Sequence, residues 1–232
     1  MTNVLDHGYL RLVESWGSDE RVIEAARMST GKGFNGWGTP GEPGDEKLLR
    51  YLYEHKHGTP FEMAGLVIEI QAPILVFREW HRHRTQSFNE MSARYTPLPD
   101  LNYVPTVERL MVNSKTNKQA GTVAGAAELT VEQAETYRHV LRGQYESDQR
   151  FYEQALSWGV PKELARVHLP VGRYSRMRAS ANLRNWLAFL TLRMDSAAQF
   201  EIRQYANVVG ALVAELFPQT WHLFAAKVGS HE

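Results

Sequence analysis

Arg82, His83, Arg84, Ser87, Asn89, Glu90, Ser92, Arg94 and Tyr95 fall within fourteen consecutive residues, 82–95. Arginine carries a rigid planar fork of donors that matches phosphate and carbonyl oxygens in pairs. Glu90 accepts from a hydroxyl or a ring N–H, and Ser87, Asn89 and Ser92 supply further short polar groups. Such a set suits an anionic small molecule that also needs directional hydrogen bonds. Ser92 could also be read as a nucleophile, but no sequence signal supplies the base a serine requires. A phosphate-binding role fits it better. An arginine-rich arm for RNA would be more uniformly basic than this stretch.

Two histidine pairs, His55 with His57 and His81 with His83, lie near Glu54, Glu62 and Glu90. Their i, i+2 spacing is not the i, i+4 spacing of a helical metal site, and no metal is expected. His57 suits a structural hydrogen bond as well as a ligand contact, whereas His168 and His222 suit structural roles.

Composition narrows the chemistry. The 232 residues hold 26 Lys+Arg against 26 Asp+Glu, so the formal charge is zero and a general nucleic-acid binder is not expected. With no cysteine, disulfides, thiolate zinc sites and thiolate nucleophiles are excluded. No apolar run reaches the roughly 18 residues of a membrane span. Residues 1–9 lack the basic-then-apolar build of a signal peptide. A single cytoplasmic domain over 1–232 is expected, without membrane or nucleic-acid partners.

The elements that must position these groups follow from periodicity. Residues 8–16 alternate and predict a strand. Ser18 caps a helix over 19–28, with Asp19 and Glu20 in its first turn. Glycines and prolines make 31–44 a loop; its Gly31, Gly33 and Gly36 match G-x-G-x-x-G, but neither strand nor helix flanks them. Asp45 caps a helix over 46–56, stopped at Gly58. Residues 65–72 read as a buried strand. Pro73 then opens a helix over 74–83 that delivers the polar stretch. Residues 102–125 are polar and irregular. Thr130 caps a long helix over 131–158 that suits a scaffold or a subunit interface. A short helix from Pro161 carries Arg166. A strand is predicted over 171–179, helices over 182–195 and 198–216, and a docking apolar tail over 221–228.

Arg184 and Arg193 lie nine residues apart on one predicted helix. At 1.5 Å rise and 3.6 residues per turn they stand about 13 Å apart and on opposite sides. They cannot grip one small group from one molecule, so two ligand portions or two shared sites are implied. Taken alone, Arg166 and Arg193 would be helix-end or ion-pair arginines.

The pattern R-H-R-x-x-S-x-N-E-x-S-x-R-Y over 82–95 resembles the signature of the flavin-dependent thymidylate synthases. His57, Thr59, Pro60, Phe61 and Glu62 resemble that family's H-x-T-P-F-E signature. Asn182-x-Arg184 and Leu192-Arg193 match it on one helix, and the resemblance spans about 26–201. It implies an α+β fold, with a central twisted sheet flanked by long helices in one domain, assembled as a homotetramer with sites shared between chains. It also implies reductive methylation of dUMP to dTMP. Methylenetetrahydrofolate would give the carbon and NADPH-reduced FAD the hydride. The missing cysteine agrees, since the other class of thymidylate synthase attacks its substrate with one.

By that resemblance Thr59, Arg82, His83, Arg84, Glu90, Asn182 and Arg184 would contact FAD. Glu79, Trp80, His81, Arg82, Glu90, Met91, Ser92, Ala93, Arg94, Arg166 and Arg193 would hold or line the dUMP pocket. Arg193 would be the catalytic group, stabilising the charge formed when the pyrimidine edge loses its proton. Three departures stand out. Met63 replaces a frequent histidine, Glu79 a frequent glutamine, and Ala188 a larger polar residue. A carboxylate at 79 disfavours a phosphate neighbour and should meet the base or an arginine. The rival reading is a non-catalytic flavin- or nucleotide-binding protein on the same scaffold.

Overall fold

The computed structural model describes residues 1–39, 41–112, 121–122 and 126–228. The strands are β1 (Thr2–Val4), β2 (Gly8–Trp16), β3 (Gly65–Pro73), β4 (Ser87–Glu90) and β5 (Tyr174–Asn182). The helices are α1 (Asp19–Arg27), α2 (Glu46–Glu54), α3 (Ile74–Trp80), α4 (Val107–Met111), α5 (Val131–Ser157), α6 (Lys162–Ala165), α7 (Leu183–Arg193), α8 (Phe200–Leu216) and α9 (Pro218–Val228). Among the described residues the strands form one antiparallel sheet in the order β1-β2-β3-β5-β4. No helix among them is long and apolar enough to cross a membrane.

Period-2 alternation sorts the sheet's two faces. Leu10, Leu66, Ile68, Ile70, Met177, Ala179 and Ala181 are buried beneath α3, α7 and α8 in one continuous core. Their neighbours Arg11, Glu69 and Arg178 lie on the other face. Glu69 accepts from Arg11 at 2.9 Å, from Arg178 at 3.2 Å and from the Tyr9 hydroxyl at 3.0 Å. The hydrogen bond from Arg11 holds the Glu69 carboxyl below its ordinary range. Helix on one face of an antiparallel sheet is the mixed architecture expected.

Several boundaries differ from those periodicity suggests. Asp45 makes no side-chain cap for α2. Its carboxylate instead takes Arg27 and the Asn35 backbone N–H, at 2.7 Å for the latter, and so folds the glycine-rich loop back onto α1. The left-handed residue after α2 is Lys56, not a glycine. Helix α3 ends at Trp80, three residues early, and β5 begins at Tyr174 and runs on to Asn182. Residues 107–111, expected irregular, are helical: Thr106 caps α4, and Arg109 pins it to the buried Glu201 of α8 at 2.8 Å. Residues 113–120 and 123–125 of that segment lie outside the described residues. Pro218 opens α9 instead of merely closing α8, and its apolar side docks through Phe224. Helix α5 matches its expected span, with Thr130 and Gln133 forming a reciprocal capping box.

Candidate active site

Helix α7 is the element around which the polar residues gather. Its first turn is fixed by Asn182, whose side chain accepts from the Asn185 N–H at 3.0 Å. Trp186 locks it to the sheet by donating to the Leu66 carbonyl at 3.1 Å. Residues 83–85 then run antiparallel alongside. The Asn185 amide donates to the Thr85 carbonyl at 2.9 Å near the start of α7, while His83 meets Arg193 at its end. The stretch continues as edge strand β4, pairing Ser87 with Ser180 and Glu90 with Met177. That strand was not foreseen, because its polar residues give no apolar alternation.

At the end of α7 the Arg193 guanidinium is engaged on all three nitrogens. Nε donates to His83 Nε2 at 2.9 Å, Nη1 to Glu79 Oε2 at 2.7 Å, and Nη2 to the Glu79 carbonyl at 3.1 Å. The Arg193 side chain is 16% exposed and that of Glu79 42%, so the carboxylate forms the open end of the pair. Glu79 therefore meets an arginine, as its charge required. Burial, and then the Arg193 charge, push the His83 imidazole down to about 4. Its Nε2 accepts from Arg193, so the proton sits on Nδ1.

At the start of α7, Arg184 pairs with Glu62. Its guanidinium lies across Gly58, where a Cβ would stand 2.8 Å from Nε. Thr59 follows directly in the short 3-10 turn Thr59–Glu62. A third group forms where the stretch leaves β4. The Ser92 hydroxyl accepts from the Arg94 N–H at 3.3 Å, Arg94 Nε donates to Glu163 Oε2 at 3.1 Å, and Lys162 donates to the Tyr95 carbonyl at 3.0 Å. Arg166 closes the same short helix, α6, that carries Lys162 and Glu163.

One chain thus places the expected residues in three groups: Thr59, Asn182 and Arg184; Glu79, His83 and Arg193; and Ser92, Arg94 and Arg166. Arg184 and Arg193 stay at opposite ends of α7, as helix geometry demanded. Arg82, Arg84 and Arg166 enter no ion pair among the described residues, and Arg82 and Arg84 are exposed. Unpaired guanidiniums beside a backbone turn are the donor set a pyrophosphate or phosphate needs. His81 packs edge-on against Phe88, with Glu90 and Met91 half-buried beyond it. Trp80 and Ala93 differ: both are buried, Trp80 stacked on Phe189 with its indole N–H on Gln86. Their side chains support the stretch from beneath. Asn185 and Glu163 were not singled out, and Glu62 only as part of the H-x-T-P-F-E signature and as a neighbour of the histidine pairs. No spacing rule reveals that Asn185 holds a carbonyl 100 positions away.

Known proteins resemble this chain over most of its length. The family described as thymidylate synthase complementing protein matches residues 11–219. A protein from Thermosipho africanus named flavin-dependent thymidylate synthase is 38% identical over 221 residues, covering 95% of this chain and 92% of its own. One of the same name from Thermus thermophilus is 39% identical, covering 95% and 77%. Among solved structures, the UMP/dUMP methylase PolB from Streptomyces cacaoi bound with 5-Br UMP superposes with a TM-score of 0.81 at 30% identity, covering 97% of this chain and 96% of that one. Its 5-Br dUMP complex gives 0.80 at 33% identity, covering 96% and 97%.

Proposed function

The chain belongs to the flavin-dependent thymidylate synthase family, and on that premise we propose that it methylates dUMP to dTMP with methylenetetrahydrofolate as carbon donor and NADPH-reduced FAD as hydride donor. The observation that carries this reading is the α7 arrangement: Arg193 half-sequestered against Glu79 and His83 at one end, Arg184 over Gly58 at the other, and exposed Arg82 and Arg84, which enter no ion pair among the described residues, on the stretch alongside.

The residues present fit FAD. Thr59, Arg82, His83, Arg84, Glu90, Asn182 and Arg184 would hold it, the guanidiniums neutralising its pyrophosphate and Gly58 letting Arg184 lie close over the turn. When bound, FAD supplies the hydride. The chain's own work is binding and polarisation. Ser92, Arg94 and Arg166 are donors for the nucleotide phosphate. Arg193 faces the base and draws electron density toward the carbonyl edge of the pyrimidine, a preorganised charge where charge develops. No thiol is needed for this activation, consistent with a chain that has none.

The three groups sit apart in one chain, which supports a homotetramer whose sites are each completed by neighbouring copies. Helix α5 supports it too, leaving Tyr137, Val140, Phe151 and Trp158 exposed. Release of tritium from C5-labelled dUMP, dependent on FAD, NADPH and methylenetetrahydrofolate together, tests the activity. Nucleotide binding with no release under those conditions would leave a non-catalytic binding protein instead.

A further inference from the structure

Arg84 sits at the centre of a turn whose own closing bond is long. The Gln86 N–H donates to the His83 carbonyl at 3.4 Å, longer than most backbone hydrogen bonds, so His83–Gln86 is a β-turn only weakly held by itself. Three side chains from outside the turn hold it as well. Arg193 Nε donates to the His83 ring at 2.9 Å, and the Trp80 indole donates to the Gln86 side-chain oxygen at 3.0 Å. Both grip the turn by its end residues. Asn185 reaches the backbone at its centre, donating from Nδ2 to the Thr85 carbonyl at 2.9 Å.

We propose that Asn185 is a positioning residue for the flavin cofactor, which by holding the Thr85 carbonyl fixes the turn from which the Arg84 side chain departs. The inference rests on the reading above that Arg84 contacts FAD. Arg84 is exposed and enters no ion pair among the described residues, so the placement of its guanidinium is inherited from the backbone beneath it. That backbone has two soft dihedrals per residue, and a turn closed by one long bond leaves them loosely restrained. Asn185 supplies the missing restraint from a rigid base. It is the third residue of α7, and its own N–H is taken by the Asn182 side chain at 3.0 Å. Its neighbour Trp186 is fully buried and donates to the Leu66 carbonyl of β3 at 3.1 Å. The turn is thereby tied through one short side chain to the helix and through the helix to the sheet. The contact requires a donor, because the Thr85 carbonyl can only accept. A guanidinium held in place before the ligand arrives loses less freedom on binding it, and the saving appears as affinity.

The test is fluorescence titration of FAD into the FAD-free protein and into Asn185→Leu. Leucine has nearly the shape of asparagine, cannot donate, and is the better helix former. The melting temperature of the FAD-free variant should therefore stay within a few degrees of wild type. FAD affinity should nonetheless fall about fivefold, the worth of one hydrogen bond. That loss should vanish once Arg84 is gone: Arg84→Ala, and Arg84→Ala combined with Asn185→Leu, should bind FAD equally, since Asn185 acts through that guanidinium. Unchanged FAD affinity in Asn185→Leu, whatever its melting temperature, would make Asn185 a structural residue and overturn the inference. So would the same loss in the absence of Arg84. Asn185→Ala, which adds no bulk, takes the place of the leucine variant if that one does not fold. Arg84→Ala binding FAD as tightly as wild type would instead overturn the reading of Arg84 as a cofactor ligand, and this inference with it.

Discussion

Arg193 holds Glu79 at two points, its side chain at 2.7 Å and its backbone carbonyl at 3.1 Å, and so joins the end of α7 to the end of α3. Lysine could replace the charge but not both contacts and the bond to His83, because an ammonium is a point charge on a flexible stem. Arg193→Ala should lower turnover by about 100-fold or more, equivalent to about 3 kcal/mol of barrier for one preorganised donor, while the protein retains FAD. Arg193→Lys should fail comparably. Single-turnover flavin oxidation, with the visible spectrum as control for bound FAD, measures both. Full activity in the lysine variant would remove Arg193 from the chemistry.

His83 should stay neutral well below the ordinary histidine range, because burial and Arg193 push it down to about 4. Between its ordinary value of 6.5 and about 4 the unfolded chain binds a proton that the folded one refuses. The contribution of the neutral ring to stability is therefore complete above pH 6.5, shrinks as pH falls, and is lost below about 4. His83→Gln keeps an acceptor for Arg193 but cannot titrate. The stability difference between the two proteins should change across pH 4.5 to 6.5 and be flat above it. Nitrogen-15 spectra of the imidazole at pH 5.5 should show a neutral ring protonated on Nδ1. A protonated ring there would contradict the assignment.

Ser92 organises a turn. Its hydroxyl accepts from the Arg94 N–H, and its carbonyl accepts from Tyr95 at 3.0 Å and Thr96 at 3.2 Å. Ser92→Ala removes one hydrogen bond, worth about 1 kcal/mol, and loosens Arg94. It should raise the dissociation constant for dUMP several-fold and leave measurable turnover. Complete loss of turnover with intact nucleotide binding would point to a nucleophilic serine.

Much of this architecture is legible in the chain, and its failures have physical causes. Strand β3 and helix α5 declare themselves through an apolar run and an N-cap threonine, both local features. The motif residues 82–95 were visible by type, but β4 was not, because an edge strand held only by β5 need not alternate. Asp45 looked like a cap, since Asp before an apolar run often is one. Only the folded chain shows Arg27 and the Asn35 N–H competing for its carboxylate. The opposite placement of Arg184 and Arg193 followed from helix geometry alone, whereas Glu62, Glu163 and Asn185 depend on which distant segments meet.

Gly58 separates structural tolerance from cofactor binding. Its φ of −71° suits any residue, so it is not there for backbone freedom. What a side chain would meet is Arg184, with Nε at 2.8 Å, the guanidinium carbon at 2.9 Å and Cδ at 3.0 Å. These atoms belong to the far part of a flexible, exposed side chain, which can swing aside at little cost to the fold. Gly58→Ala should therefore leave the melting temperature of the FAD-free protein within a few degrees of wild type. The displaced guanidinium would lose its position over the turn and its pairing with Glu62, so FAD affinity should fall about tenfold or more, as it should in Arg184→Ala. The double variant should bind FAD no worse than Arg184→Ala alone, because both changes remove the same contact. Fluorescence titration of FAD into the four proteins reads this cycle. Additive losses would mean that Gly58 serves the cofactor independently of Arg184.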